Sequence, residues 1–123
     1  VTIQTKTTFR DGYIRITTTG TMVSREEAQA YGDFIFDLAQ QRGTKLILLD
    51  ERGMVDEEDA LDAYEVSESE TLAEMGMAGF RIALVSAPAN LAINRTWETI
   101  MQNRSINLRV FSDMESATDW LTS

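Results

Sequence analysis

The chain has no cysteine and no histidine among its 123 residues. Those absences exclude structural zinc on thiolate or imidazole ligands, thiol catalysis, thiol redox switching and every acid–base mechanism that runs through an imidazole. Long apolar runs are missing too. None approaches the roughly 18 residues that a membrane span needs, and Val1-Thr-Ile-Gln-Thr-Lys6 shows no signal-peptide pattern. The lack of cysteine fits a reducing compartment, so a cytoplasmic location is the expectation. Basic residues are scarce, 11 against 20 acids, for a net charge of −9. Nucleic acid and anionic membranes both demand a basic footprint, and neither is expected as a partner.

What is present fits one domain spanning residues 1–123, since a chain of this size buries about two thirds of its unfolded surface without disulfides or metals. Residues 2–9 alternate, Arg10-Asp-Gly12 supplies a tight turn, and Tyr13-Ile-Arg-Ile-Thr-Thr-Thr19 returns, which predicts an antiparallel hairpin. Ser24-Arg-Glu-Glu27 has the form of a capping box. Behind it Ala28, Tyr31, Ile35, Leu38 and Ala39 recur at helical spacing, and Gly43 is placed to close the helix. Leu46-Ile-Leu-Leu49 reads as a strand buried on both faces, ending at Asp50. The charged run Glu51-Arg-Gly-Met-Val-Asp56 reads as a loop beyond that strand's carboxyl end, where open α/β sheets place ligands and partners.

An acid-rich helix follows from Asp56 or Asp59, with a break predicted near Ser67 to Glu70 and a stop at Gly76-Met-Ala-Gly79. Phe80-Arg-Ile-Ala-Leu-Val85 is a second buried strand. Asn90 is placed to cap a helix bearing Ile93, Trp97, Ile100 and Met101, Asn107 to Phe111 is the last strand, and Ser112 to Glu115 starts a terminal helix on Ala117, Trp120 and Leu121. The order β-β-α-β-α-β-α-β-α, with right-handed crossovers, predicts a mixed, mostly parallel five-stranded sheet. Its first strand is antiparallel at an edge, and about four helices cover it.

Charge is uneven. Of the 20 acids, 11 lie between Asp50 and Glu74, with Arg52 the one base there, so this segment carries −10 and the remainder +1.

In order and spacing these pieces resemble the STAS-like, or SpoIIAA-like, domains. The resemblance rests on the Asp-Gly hairpin, the capped helix before Lys45-Leu-Ile-Leu-Leu-Asp50, the strand Arg81-Ile-Ala-Leu-Val85 and the ending Arg109-Val-Phe-Ser-Asp-Met-Glu-Ser-Ala-Thr-Asp-Trp-Leu121. It implies a SpoIIAA-like β-α superhelix. The anti-sigma-factor antagonists of that family carry a phosphorylated serine in the loop after the central strand, at a helix N-terminus. Here Asp50-Glu-Arg-Gly-Met-Val-Asp56 holds no hydroxyl side chain. The resemblance therefore carries over the scaffold and the loop position without the switch residue. Asp56, Glu57 and Glu58 put negative charge where phosphate would be, although acids at a helix start are common for macrodipole reasons alone.

Each candidate chemistry has a plainer competitor. Asp50, Glu51, Asp56, Glu57 and Asp59 offer oxygens to a hard cation, but no Asp-x-Asp-x-Asp-Gly loop shapes them, and a solvated acidic face is expected instead. No pair of acids is singled out by spacing for hydrolysis. Ser86 and Ser112 follow strand ends, yet a serine nucleophile would need lysine as its base, and the lysines are Lys6 and Lys45. The expectation is a non-enzymatic chain with no cofactor and no metal. Tyr31, Phe34, Phe36, Met75, Met77, Trp97 and Met101 either line an apolar ligand cavity or form ordinary core, and helical spacing favours core.

Two functions remain. One is a regulatory or protein-interaction module that meets a basic partner through Asp50, Glu51, Arg52, Met54, Val55, Asp56, Glu58, Asp62 and Glu65. In that reading Met54 and Val55 serve as apolar anchors, and a homodimer stays open as a further arrangement. The other is a small-molecule or lipid-binding carrier with its site under the helices.

Overall fold

A computed structural model describes residues 2–123. Its elements run β1 (Ile3–Arg10), β2 (Tyr13–Met22), α1 (Arg25–Arg42), β3 (Leu46–Asp56), α2 (Ala60–Ser67), α3 (Glu70–Ala78), β4 (Arg81–Ser86), α4 (Leu91–Asn103), β5 (Asn107–Phe111) and α5 (Met114–Leu121). A single 3-10 turn, Pro88–Asn90, joins β4 to α4. Strand order in the sheet equals chain order, β1 to β5; β1 and β2 are antiparallel and every later pair is parallel. Right-handed crossovers taken in sequence put α1 to α4 on one face. The acid-rich segment divides into α2 and α3, which makes five helices rather than about four.

Alternation along the strands separates two cores. Ile14, Ile16, Ile47, Leu49, Ile82, Leu84, Leu108 and Val110 face the four helices and meet Ala28, Ile35, Ala39, Val66, Leu72 and Met75. Leu48, Ala83 and Val85 face the other way, onto Ala117 and Leu121 of α5. The β3 and β4 runs read as continuous apolar stretches because both of their faces are covered.

The caps follow a simple rule: a short oxygen-bearing side chain accepts from the third helical amide. Ser24, Asp59, Ser69 and Asp113 do so for Glu27, Asp62, Leu72 and Ser116. Several sequence expectations shift. Glu27 leaves its box and accepts from the backbone N–H and hydroxyl of Thr2, tying α1 to the start of the hairpin. Ser69 rather than Ser67 starts α3, and Asp113 rather than Ser112 starts α5. Asn90 makes no cap bond to α4. Gly43 and Gly79 close α1 and α3 with φ of 66° and 81°, the left-handed conformation in which glycine avoids the Cβ penalty.

The largest departure from the sequence reading is β3. It does not stop at Asp50 but runs on to Asp56, pairing Gly53 to Asp56 with Thr19 to Met22 of β2. Between Thr17 and Thr19 the register slips, so Glu51 and Arg52 together stand opposite Thr18, a bulge on β3. One extra residue reverses which side chains face the helices beyond it. Met54, three residues after Glu51, joins the same core face.

Candidate functional site

The bulge sets the geometry of the working end of the sheet. Before it, Asp50 is buried on the face away from the four helices, where its carboxylate accepts from Arg52 Nε and Nη2 at 2.9 Å each and from Arg15 Nη2 at 3.4 Å. The side-chain hydrogen bonds from Arg52 hold its pKa below the usual carboxylate range, against the opposing effect of burial. Within the bulge, Glu51 turns to the opposite face and is 3% exposed. It accepts from Tyr31 Oη of α1 at 2.8 Å, and the Tyr31 hydroxyl also lies 2.7 Å from Thr18 Oγ1. Burial pushes the Glu51 carboxyl up to about 7, against the lowering effect of the Tyr31 hydrogen bond. Burial, followed by the charge on Glu51, also raises the Tyr31 phenol well above its ordinary value.

Past the bulge, the Asn90 side chain fixes the end of β3. Its Nδ2 donates to the Met54 carbonyl at 2.7 Å and its Oδ1 accepts from the Asp56 N–H at 3.1 Å. A residue chosen from sequence as a helix cap thus serves as a cross-link between the ends of β3 and β4. Asp56 in turn accepts from the Glu58 N–H at 2.9 Å, which turns the Glu58 side chain inward, where only 9% of the residue is exposed. Glu58 Oε2 is buried without a hydrogen-bond partner among the described residues. Burial first, then the charge of Asp56 and a side-chain hydrogen bond with it, then the carboxylates of Asp62 and Glu51, push Glu58 up to about 8. Asp56 is raised as well, mainly by its own burial.

These carboxyl groups close one end of an apolar cavity of about 90 Å³ between the sheet and its helices. Leu49, Ile82, Leu84 and Leu108 form its floor, and Met22, Met54, Met75 and Met101 converge on it. Tyr31 and Gly32 of α1, Val66 of α2, and Asn94 and Trp97 of α4 complete the wall. Of the residues weighed from sequence as cavity or core, Tyr31, Met75, Trp97 and Met101 line the cavity. Phe36 packs on Phe80, while Phe34 and Met77 are exposed.

The nine residues read from sequence as one partner surface do not lie on one surface. Asp50, Glu51, Met54 and Glu58 are buried, and Met54 cannot anchor a partner because it packs inward beyond the bulge. Asp56 and Asp62 are half-buried, and Arg52, Val55 and Glu65 are exposed. Glu65 pairs with Arg25 of α1. The sequence spacing puts Ala60, Ala63, Tyr64 and Ser67 on one face of α2, but only Ala63 and Ser67 of these turn inward; Tyr64 and the unremarked Leu61 are 54% and 65% exposed. With Glu65 and Glu68 they occupy positions i, i+3, i+4 and i+7, one outward stripe of the helix. Helical spacing alone could have found it, had the inward side been assigned to Ala63, Val66 and Ser67, all buried.

The serines read as nucleophile candidates are engaged or remote. Ser86 is buried, donates to the Ala87 carbonyl and accepts from Asn94 Nδ2 at 2.8 Å. Ser112, Lys6 and Lys45 are exposed, the lysines lying on the hairpin and just before β3. Among the described residues no helix is long and apolar enough to cross a membrane.

A sheet in strict chain order, with four helices on one face and a terminal helix on the other, defines an α/β module of SpoIIAA-like fold. Among solved structures the chain is similar to the crystal structure of an uncharacterized DUF3478 family protein with a SpoIIAA-like fold from Shewanella loihica PV-4. Identity is 15%, the match covers 97% of this chain and 93% of that one, and the TM-score is 0.57. No family model matches the sequence, and no curated protein matches it.

Proposed function

We propose that the chain is a non-enzymatic regulatory or protein-interaction module of STAS-like type that recognises a basic protein partner through the outward stripe of α2. One observation carries this reading: two large apolar side chains, Leu61 and Tyr64, stand 65% and 54% exposed on a short helix, beside the exposed acids Glu65 and, at its C-cap, Glu68. Protein interfaces combine an apolar or aromatic centre with a charged rim that steers association. Glu57, Asp59, Glu65 and Glu68 are exposed around that pair and provide the rim. The stripe lies just beyond the end of β3, the position at which the related antagonists carry their phosphoserine. This sequence has no hydroxyl between Asp50 and Glu58, so that run offers no phosphate acceptor and recognition runs without a kinase step there.

The test is site-specific photo-cross-linking in the source cells. Tyr64 is replaced by p-benzoyl-phenylalanine, Thr118 on α5 serves as the control position, and the joint variant Glu57→Lys, Glu65→Lys and Glu68→Lys is run beside it. The reading expects one protein partner from position 64 and none from 118. Its yield falls with salt and drops about tenfold or more in the triple variant, as loss of electrostatic steering demands. Equal yield from both positions, or a yield unmoved by the charge reversals across the salt series, overturns it.

A further inference from the structure

The cavity under the helices is independent of the α2 stripe, and either can fail alone. Its lining is almost wholly apolar, which by itself describes an ordinary packing defect. Three carboxyl groups, Glu51, Asp56 and Glu58, set into one end of it do not belong to such a defect. Natural interiors leave few polar groups unpaired, and each one that stays unpaired asks for an explanation. Glu58 is 9% exposed, lines the cavity and, among the described residues, finds no donor for Oε2; the one side chain hydrogen-bonded to its carboxyl group is Asp56, itself an acid. Glu51, by contrast, is satisfied by Tyr31.

We infer that this cavity is a binding site for a small organic ammonium ion with a short apolar body, its nitrogen taken by Glu58 beside Asp56 and Glu51 and its carbon chain lying among the four methionines. An ammonium group brings the donors that an acceptor-only carboxylate lacks partners for, and it offsets the mutual repulsion of three neighbouring acids. A bare metal ion fits less well, because among the described residues no three acidic side chains converge with the spacing a metal requires. Methionine suits the other end of the ligand, since its flexible thioether adapts to irregular apolar shapes.

Gly32 supplies the space. A Cβ built on it meets nothing within 4 Å, although the residue lines the cavity wall from the middle of α1. A side chain there has room to start without meeting a neighbouring atom, so Gly32→Leu is the substitution chosen to occupy the site.

The acidic side chains facing Glu58 are Asp56 and Glu51 of β3 and Asp62 of α2; the Tyr31 hydroxyl of α1 shares the lining, and α4 contributes no charged side chain to it. Binding a cation requires Glu58 to give up its proton, so affinity tracks the ionised fraction, which falls about tenfold for each pH unit below its raised pKa. A simple alkylammonium stays charged throughout this range.

The experiment is a titration of the full chain, carrying ¹³C-methyl methionine, with n-butylammonium, n-butanol and butyrate, followed by NMR. The inference expects saturable shifts of the Met22, Met54, Met75 and Met101 methyls, with Met77 and Met114 unmoved. It expects the ammonium to bind at least about tenfold tighter than the alcohol or the acid, and its affinity to rise about tenfold per pH unit from 6 towards 8. Glu58→Gln should remove most of that pH dependence, and Gly32→Leu should abolish binding while the chain stays folded. Butanol binding as tightly as butylammonium would mean a plain apolar void. That result, absence of any saturable shift in the four methyls, or binding unchanged in Gly32→Leu overturns the inference.

Discussion

Glu58 and Glu51 stand in the same acidic run as Glu57 and Asp59, yet they turn inward where those two are exposed. A carboxyl group whose folded pKa is raised binds more protons folded than unfolded, so its contribution to stability declines as pH climbs from the unfolded value to the folded one. For Glu58 and Glu51 that window runs from about 4.5 to about 8 and about 7. Stability should therefore fall between pH 5 and 8 instead of holding level. Glu58→Gln should flatten this slope and, at pH 8, stabilise the chain by on the order of 1–3 kcal/mol, because the neutral amide avoids the cost of a buried charge. Urea unfolding at pH 5.5 and 8 checks it; a variant no more stable than the parent at pH 8 counts against the burial of this carboxylate.

At the scale of elements, the bulge in β3 explains why part of the site was hidden from the sequence. Periodicity located the hairpin, the central strand, α1 and the closing strand and helix, because their apolar residues repeat at 2.0 or 3.6. Asp50 to Asp56 breaks that pattern and looks like a loop. It stays in the sheet because distant groups satisfy it: Arg15 of β2 for Asp50, Tyr31 of α1 for Glu51 and Asn90 after β4 for the backbone. Such partners lie 20 to 36 residues away and leave no local trace. Two glycines show the same difference between local and long-range demands. Gly32 has open space beside it, so Gly32→Ala should stabilise by about 0.5–1 kcal/mol through helix propensity. Gly76 of α3 abuts the Arg104 carbonyl so closely that a Cβ has no room, and Gly76→Ala should destabilise by about 2 kcal/mol or more. Thermal melts of both variants decide it, and similar effects from the two would contradict the packing described.

For the molecule as a whole, the segment carrying −10 is two surfaces folded into one run of sequence. Its outer acids and exposed apolar pair face solvent on α2, whereas its inner acids close the end of an apolar cavity. Composition alone cannot separate them, since the sorting is done by the bulge and by Asp56 turning Glu58 inward. The absence of histidine and cysteine makes that division measurable on the intact chain. Between pH 6 and 9 an unfolded chain of this composition should titrate little beyond its terminal amine. Potentiometric titration of the native protein against the same protein in concentrated urea tests the division most directly. Two additional protons released by the native chain in that window, from Glu51 and Glu58, are the predicted result. Superimposable native and unfolded curves between pH 6 and 9 would contradict it.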